Sequence, residues 1–180
     1  GGLYVVITES LCAGRGSIEI LDACLEAGVR LIQFREQSGP DRALYERALQ
    51  FRERTRAAGA LLMIDDRLDL ALAVEADGVH LGQEDLPLTA ARRIAPGLIL
   101  GASTHSLTEA LEAQAQGADY VNIGPLYPTG TKQVATGPIG PDRIAEISPY
   151  LRIPFTCMGG IKPENIREPL ARGARICAVV

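Results

Sequence analysis

Short apolar runs rich in Val, Ile and Leu recur along the chain, separated by amphipathic stretches. Most of the runs are continuous rather than alternating, which is typical of parallel strands covered on both faces. The stretches between them, such as SIEILDACLEAG and SLTEALEAQAQG, space Leu and Ala as amphipathic helices do, and several close on a Gly. The pattern predicts strands at 3–8, 30–34, 61–65, 78–82, 98–102, 120–124, 153–159 and 175–180.

Alternation of strands and helices indicates a parallel sheet with right-handed crossovers, and eight strands are the number that closes a (β/α)8 barrel. A doubly wound open sheet is the alternative. It usually has a glycine-rich first turn, whereas this first strand is followed by ITESLCAGRG, which is not GxGxxG. We predict a single-domain (β/α)8 TIM barrel over residues 1–180. Its eighth strand reaches Val180, so we expect the final helix to be missing from this chain.

Composition and charge narrow the classes of partner. A chain of 180 residues, 47% of them hydrophobic, is long enough for one domain with a sizeable core. A net charge of -4, no Lys/Arg run and 4% aromatic residues argue against a nucleic-acid partner. No run reaches the ~18 apolar residues of a membrane span, and no signal peptide is visible. We expect a cytoplasmic protein with no membrane partner, and the sequence leaves a homo-oligomer open.

The four cysteines are far apart and lack the spacing of a zinc site. Cys12, Cys24, Cys157 and Cys177 form neither a CxxC pair nor a Cys/His cluster. Free thiols in a reducing cytosol are therefore expected.

Polar residues follow most of the predicted strands, at the end of the barrel where such folds carry their chemistry. In chain order they are Gln33, Arg35, Glu36 and Gln37, then Asp65 and Asp66, then His80, Gln83, Glu84 and Asp85, then Ser103 and His105, then GPLYPTGTK at 124–132, and Gly159 with Gly160.

Several of these residues also have a structural interpretation. Asp66 and Asp85 each precede a helical pattern and are candidate N-caps. His80 lies inside an apolar strand, as a hydrogen-bonded core histidine would. His105 fits an N-terminal helical turn that starts at Ser103 or Ser106.

Taken together, the residue types suit two phosphate groups and a metal ion. Asp66 and Asp85 offer hard oxygen ligands for Mg²⁺, which keeps several waters and bridges substrate phosphates. Arg35 and Lys132 are suited to clamping a diphosphate, the arginine by its planar fork and the lysine as a point charge. A second phosphate would be held by the glycine amides and hydroxyls of Thr129, Thr131, Gly159 and Gly160.

Five motifs carry a resemblance to a known family. QFREQ, IDDRLDLALAVEADGVHLGQEDLP, GASTHS, GADYVNIGPLYPTGTK and MGGI followed by Asn resemble, in order and spacing, the thiamine-phosphate synthases. The resemblance spans essentially the whole chain. It implies a (β/α)8 barrel that joins hydroxymethylpyrimidine diphosphate to a thiazole phosphate and releases diphosphate, with Mg²⁺ as cofactor.

The resemblance also implies roles for individual residues. Asp66 and Asp85 match the metal aspartates, and Arg35, Ser103 and Lys132 match contacts in the catalytic pyrimidine-diphosphate site. The implied substrate-binding set is Gln33, Arg35, Glu36, Gln37, Asp65, Ser103 and Lys132 for the pyrimidine diphosphate, with Thr129, Gly130, Thr131, Gly160 and Val180 for the thiazole phosphate.

Two positions depart from the common pattern of that family. Gln37 stands where a Lys is usual, and Asp65 where an Asn is usual. At an effective dielectric near 20, each such change of charge at ~4 Å is worth about 4 kcal/mol before screening.

Two alternative functions remain open. A thiazole tautomerase, the sister family, would use a histidine placed like His105. A non-catalytic barrel would keep only the thiazole-phosphate pocket.

Overall fold

The computed structural model describes residues 2–131 and 137–180, and within them eight parallel strands close into a barrel in chain order. Strand β8 pairs with β1, with Gly2 opposite Ile176 and Val5 opposite Val179, which completes the ring. The predicted barrel and all eight strands are confirmed. Their bounds are β1 Gly2–Ile7, β2 Leu31–Phe34, β3 Leu61–Asp65, β4 Gly78–Leu81, β5 Ile99–Thr104, β6 Tyr120–Ile123, β7 Phe155–Cys157 and β8 Ile176–Val179.

Helices follow the strands on the outside of the barrel. Short 3₁₀ turns lie at Glu9–Leu11 and Ser148–Tyr150. No helix among the described residues is long and apolar enough to cross a membrane. The helices are α1 Ser17–Glu26, α2 Asp41–Ala57, α3 Leu68–Ala73, α4 Leu88–Ile94, α5 Leu107–Ala115, α6 Arg143–Ile147 and α7 Arg167–Ala171.

The main hydrophobic core lies between the sheet and these helices. Ile32 and Leu62 point outward from β2 and β3 and are fully buried, as is Leu21 on α1. Phe34 on β2 meets Phe51 on α2 edge to face, with ring centroids 5.0 Å apart. Successive strand residues alternate between this outer core and the barrel interior, because side chains along a strand have a period of two.

Large side chains fill the barrel interior below the C-terminal ends of the strands, on the side that we call the lower end. Tyr4 and Met63 are buried there, and Tyr120 packs against them. Two glycines provide the space: a Cβ on Gly101 would lie 2.2 Å from the Tyr120 ring, and a Cβ on Gly78 would lie 2.5 Å from Met63 Cε. Small residues opposite large ones let the interior pack as a solid core.

Two aspartate braces, Asp77 with Arg52 and Asp119 with Arg92, fasten the lower end of the barrel. Asp77 precedes β4; its Oδ2 accepts hydrogen bonds from Arg52 NH1 and from the Leu62 backbone N–H, both at 2.7 Å. The second brace repeats this arrangement before β6. There Asp119 Oδ2 accepts from Arg92 NH2 at 2.6 Å and from the backbone N–H of β5 residue 100 at 2.8 Å.

All four cysteines are free thiols, as expected. Cys157 and Cys177 nevertheless lie side by side on β7 and β8, with their sulfur atoms 3.6 Å apart in a buried cluster. Their separation along the chain gave no indication of this contact.

Candidate active site

A cavity of about 710 Å³ opens at the C-terminal ends of the strands. Polar residues from β2 to β6 and from the loops after β6 and β7 line it. Most of the residues predicted from the sequence are brought together here: Gln33, Arg35, Asp65, Asp66, Asp85, Ser103, Thr129, Gly130, Thr131, Gly160 and Val180.

Three predicted residues stand apart from that set. Lys132 lies outside the described residues. Glu36 and Gln37 do not line the cavity. The Glu36 carboxylate accepts a hydrogen bond from the Glu9 backbone N–H at 2.7 Å and lies 3.6 Å from Arg47 NH1. It thereby fastens the loop after β1 to the start of the β2 loop.

The Arg35 guanidinium is paired within the cavity wall. Its Nε lies 3.3 Å from Asp65 Oδ2, and the two side chains are only 9% and 11% exposed. Asp65 therefore offsets part of the charge that Arg35 would present to an anion. A buried pair of this kind also fixes the direction of the guanidinium, because its fork has a rigid geometry.

Asp66 has a backbone conformation that is uncommon for a residue with a side chain. Its φ is +59°, and its N–H donates to the His80 carbonyl at 2.8 Å, across to β4. Such conformations are strained and tend to occur at functional sites, although Asp tolerates them better than most residues. Asp66 is not the cap of α3, because the N-cap position belongs to Arg67.

Asp85 is oriented by its own turn. Its Oδ2 accepts from the Gly82 backbone N–H at 2.6 Å, and the N-cap position of α4 belongs to Pro87. Asp66 and Asp85 both face the cavity. No group of three or more His, Cys, Asp or Glu side chains in the described residues is arranged to hold a metal ion. Two carboxylates fit Mg²⁺ where waters and substrate phosphates supply the remaining ligands.

The loop after β6 is held against the loop after β7 by backbone hydrogen bonds. The N–H groups of Leu126 and Tyr127 donate to the carbonyls of Met158 and Gly159, at 2.8 and 3.0 Å. The Tyr127 hydroxyl donates to Glu168 on α7 at 2.7 Å. Burial, together with this hydrogen bond to Glu168, raises the Tyr127 pKa to about 12, so the phenol remains a donor at neutral pH.

The close approach of these two loops requires glycines. A Cβ on Gly159 would lie 2.4 Å from Pro125 Cβ, and one on Gly160 would lie 2.5 Å from the Pro128 carbonyl oxygen. Both glycines have positive φ. Within the loop after β6 the Thr129 hydroxyl accepts a hydrogen bond from the Thr131 N–H at 3.2 Å. The glycine and threonine groups are thus gathered at one end of the cavity.

His105 and Lys162 complete the wall. His105 Nδ1 lies 2.8 Å from Glu109 Oε2, and Ser106 caps α5, which confirms the helical turn predicted there. Lys162 lies at the β7 side near Gly160. Lys162 was not among the predicted residues; its place three residues after Gly159 is visible in the sequence, but the GGI motif by itself does not indicate a cation at that position.

A buried hydrogen-bonded chain crosses the barrel beneath the cavity floor. Gln33 Nε2 donates to the Tyr4 hydroxyl at 2.7 Å, and the Tyr4 and Tyr120 hydroxyls are 3.1 Å apart. His80 Nδ1 lies 2.9 Å from the Tyr120 hydroxyl, and His80 Nε2 lies 2.9 Å from Ser103 Oγ. His80 is thus a hydrogen-bonded core histidine as predicted, and it also lines the cavity. The two tyrosines were not among the predicted residues.

Comparison with known proteins identifies the family. The model of the thiamine monophosphate synthase family matches residues 3–180. The thiamine-phosphate synthase of Chloroflexus aurantiacus is 43% identical over 178 residues, which cover 99% of this chain and 82% of that protein. That of Moorella thermoacetica is 45% identical over 179 residues, covering 99% and 85%.

Solved structures agree with this result. The thiamine phosphate pyrophosphorylase from Pyrococcus furiosus superposes with a TM-score of 0.90 at 42% identity, covering 99% of this chain and 84% of that one. An N-acetylmannosamine-6-phosphate 2-epimerase from Clostridium perfringens, 17% identical with a TM-score of 0.71, shares the fold alone. The chain belongs to the thiamine monophosphate synthase family.

Proposed function

We propose that this protein is a thiamine-phosphate synthase, which couples hydroxymethylpyrimidine diphosphate to a thiazole phosphate and releases diphosphate. One observation carries the proposal. The two aspartates, the Arg35 guanidinium, Ser103 and the glycine–threonine loop line a single cavity, so both substrates would meet there. Family membership supports the same reaction.

The two ends of the cavity suit different substrates. The pyrimidine diphosphate would lie toward β2–β5, with Gln33, Arg35 and Ser103 as contacts. Lys132 would be a further contact to the diphosphate, and it lies outside the described residues. The phosphate of the thiazole would lie at the other end, held by Thr129, Gly130, Thr131, Gly160 and Val180, where glycines let backbone N–H groups approach.

Two features of the cavity support a bound Mg²⁺: the two aspartates, and the net negative charge of the wall. The described part of the wall carries the cations Arg35 and Lys162 against five carboxylates, those of Asp65, Asp66, Glu84, Asp85 and Glu109. A diphosphate entering this excess of negative charge would be repelled. Asp66 and Asp85 would hold the ion, which would supply positive charge to offset that of the incoming diphosphate.

The proposed reaction asks the protein for electrostatics and positioning. The C–O bond to diphosphate breaks, its electron pair leaves with the diphosphate, and the thiazole nitrogen forms the new C–N bond to the same carbon. The pyrimidine amino group stabilises the cation between these events, so no general base is needed. Arg35 and Lys132 would hold the leaving diphosphate, and the Gly160 end would orient the thiazole.

Calorimetric titration tests the proposal directly. We expect the pyrimidine diphosphate to bind only with Mg²⁺, and Asp66→Asn and Asp85→Asn each to weaken that binding at least about tenfold with little loss of thermal stability. Asp22→Asn on α1 is the matched control and should change nothing. A protein that binds the thiazole phosphate but does not bind the pyrimidine diphosphate, with or without Mg²⁺, would contradict the synthase and favour a non-catalytic barrel.

Asp65 provides a second test, because it is paired with Arg35. Asp65→Asn together with Gln37→Lys should raise the affinity for the pyrimidine diphosphate if that compound is the substrate. Asp65 then no longer offsets the Arg35 charge, and a lysine at the exposed position 37, outside the cavity wall, adds positive charge at longer range. No gain in the double variant would mean that the Arg35 side of the cavity serves another ligand.

Thiazole tautomerase activity is the second candidate, because His105 lines the cavity with its Nδ1 held by Glu109. For a synthase, Lys132→Ala should lower kcat about 10²-fold or more, whereas His105→Ala should leave coupling mostly intact. If His105→Ala abolishes turnover and Lys132→Ala has no effect, proton transfer dominates and the tautomerase is correct.

A further inference from the structure

The buried series of hydrogen bonds from Gln33 through Tyr4, Tyr120 and His80 to Ser103 joins side chains of five strands. It ends at the cavity wall. Tyr4 on β1 and Tyr120 on β6 form its middle, and neither lines the cavity. The space for Tyr120 exists only because Gly101 has no side chain. Buried polar networks are costly unless each member is hydrogen-bonded. Two phenols at this depth therefore call for an explanation beyond filling volume.

The donors along the chain can be ordered from one end. Gln33 Nε2 can only donate, so the Tyr4 oxygen accepts there and its own hydrogen is available to Tyr120. If Tyr4 gives that hydrogen to the Tyr120 oxygen, the Tyr120 hydroxyl donates in turn to His80 Nδ1, 2.9 Å away. In this order a neutral His80 imidazole, which carries one proton, has that proton on Nε2 and donates to Ser103 Oγ, 2.9 Å away.

Both phenols stay protonated over the range in which the chain would act. Burial is the largest cause that raises the pKa of Tyr4 and of Tyr120 well above the ordinary value of a phenol. Each hydroxyl therefore has one hydrogen to donate and an oxygen that accepts.

We propose that Tyr4 and Tyr120 are positioning residues that hold His80 in the tautomer protonated on Nε2, so that Ser103 presents a hydrogen-bond donor to the cavity. Because its oxygen already accepts from His80, the serine hydroxyl hydrogen is turned toward the ligand. The wall at Ser103 then selects a heterocycle with an acceptor atom, such as an unprotonated ring nitrogen. This selection rests on the proposed function, whereas the tautomer does not.

Imidazole nitrogen NMR tests the tautomer without any substrate. The chain has two histidines, so His105→Gln leaves the signals of His80 alone. At about pH 8, above the ordinary histidine pKa, two-bond ¹H–¹⁵N correlations should show His80 protonated on Nε2. Tyr120→Phe should shift the Nδ1 resonance, because that nitrogen loses its donor, and the exposed Tyr45→Phe should not. A wild-type His80 protonated on Nδ1 would overturn the proposal.

Substrate kinetics test the consequence at Ser103. Tyr120→Phe and Tyr4→Phe should each raise KM for the pyrimidine diphosphate about fivefold, the value of one neutral hydrogen bond, with a smaller change in kcat. An analogue whose ring nitrogen is replaced by C–H should bind wild type and Tyr120→Phe equally. If the tyrosine variants prefer the pyrimidine diphosphate over the analogue as strongly as wild type does, the buried hydrogen bonds do not determine whether Ser103 donates to the ligand. Absence of any substrate binding would instead contradict the proposed function, and the NMR result would stand.

Discussion

Gly160 shows how a missing side chain can shape the cavity. Its φ is +62°, and its Cβ position is occupied by the Pro128 carbonyl and the Tyr127 side chain of the neighbouring loop. A larger residue would therefore have two costs, one from the backbone conformation and one from displacing the loop that carries Thr129 and Thr131. The two costs can be separated, because other glycines share the φ without the contact.

Gly160→Ala should impair activity more than stability. The positive φ costs an L-residue about 1–2 kcal/mol, and the contact additionally moves the loop. Gly59→Ala is the matched control, since Gly59 has φ +65° and no described atom within 4 Å of its Cβ position. Both variants should lose similar stability in urea, and only Gly160→Ala should raise KM for the thiazole phosphate, by about tenfold or more. Equal kinetics for the two variants would show that the loop contact is unimportant.

The position of a residue at the cavity could be predicted where the residue directly follows a strand, whereas contacts that form only when the barrel closes could not. Asp66 and Asp85 follow strands in sequence, so their place at the cavity could be expected. Tyr4 and Tyr120 are 116 residues apart and each lies in an ordinary apolar strand. Nothing near either residue indicates that closure of the barrel brings their hydroxyls together.

At the scale of helices and strands, the two aspartate braces explain a short sequence pattern that occurs twice. The phrases EADGVHLG and QGADYVNIG each place an aspartate directly before a strand. In both cases the carboxylate binds the backbone of the preceding strand and an arginine of a helix. These contacts lie at the end of the barrel opposite the cavity, where barrel folds keep residues for stability rather than catalysis.

Asp77→Ala should therefore destabilise the protein without changing kcat/KM. The variant loses a backbone hydrogen bond and one to a charged arginine that is 13% exposed, and hydrogen bonds to charged groups are worth about 1.5–3 kcal/mol each. Glu75→Ala removes the exposed pair with Arg56 and should cost no more than about 1 kcal/mol. Urea unfolding and steady-state kinetics measure both quantities. Reduced activity in folded Asp77→Ala would refute this separation of the two ends.

Strand bounds were predicted to within a few residues, and the largest difference has a backbone cause. The pattern predicted a strand at 153–159, whereas β7 is Phe155–Cys157. Pro154 lacks the N–H that a central strand would donate. At the other end Gly159 has φ +99°, outside the strand region. Apolar character continues past both ends, so hydrophobicity alone overestimates the strand.

For the whole molecule, the buried tyrosines predict how stability depends on pH. A phenol whose folded pKa lies above its unfolded value of about 10 stabilises the protein fully below that pH, and the stabilisation is lost as pH rises toward the folded pKa. Tyr4, Tyr120 and Tyr127 all have raised pKa values. Stability should therefore decline above about pH 10, by up to about 1.4 kcal/mol per pH unit for each such tyrosine.

Chemical unfolding at several alkaline pH values measures this decline. The double variant Tyr4→Phe/Tyr120→Phe should show a shallower slope than wild type, because two of the titrating groups are gone. Tyr150→Phe, which removes a 60% exposed phenol, should run parallel to wild type. Identical slopes for the double variant and wild type would mean that the buried phenols do not govern the alkaline limit.

The aspartate braces also bear on the order in which the barrel assembles. Each links groups only 15 to 27 residues apart, so each can form with a small loss of chain entropy. Pairing of β8 with β1 requires the two most distant strands of the ring to meet. Non-local contacts of that kind form late and slowly. We expect pulsed hydrogen exchange during refolding to protect the Leu62 and Leu100 amides before those of Gly2–Val5. Early protection of the Gly2–Val5 amides would mean that ring closure, and not the braced β3–β6 segment, nucleates the fold.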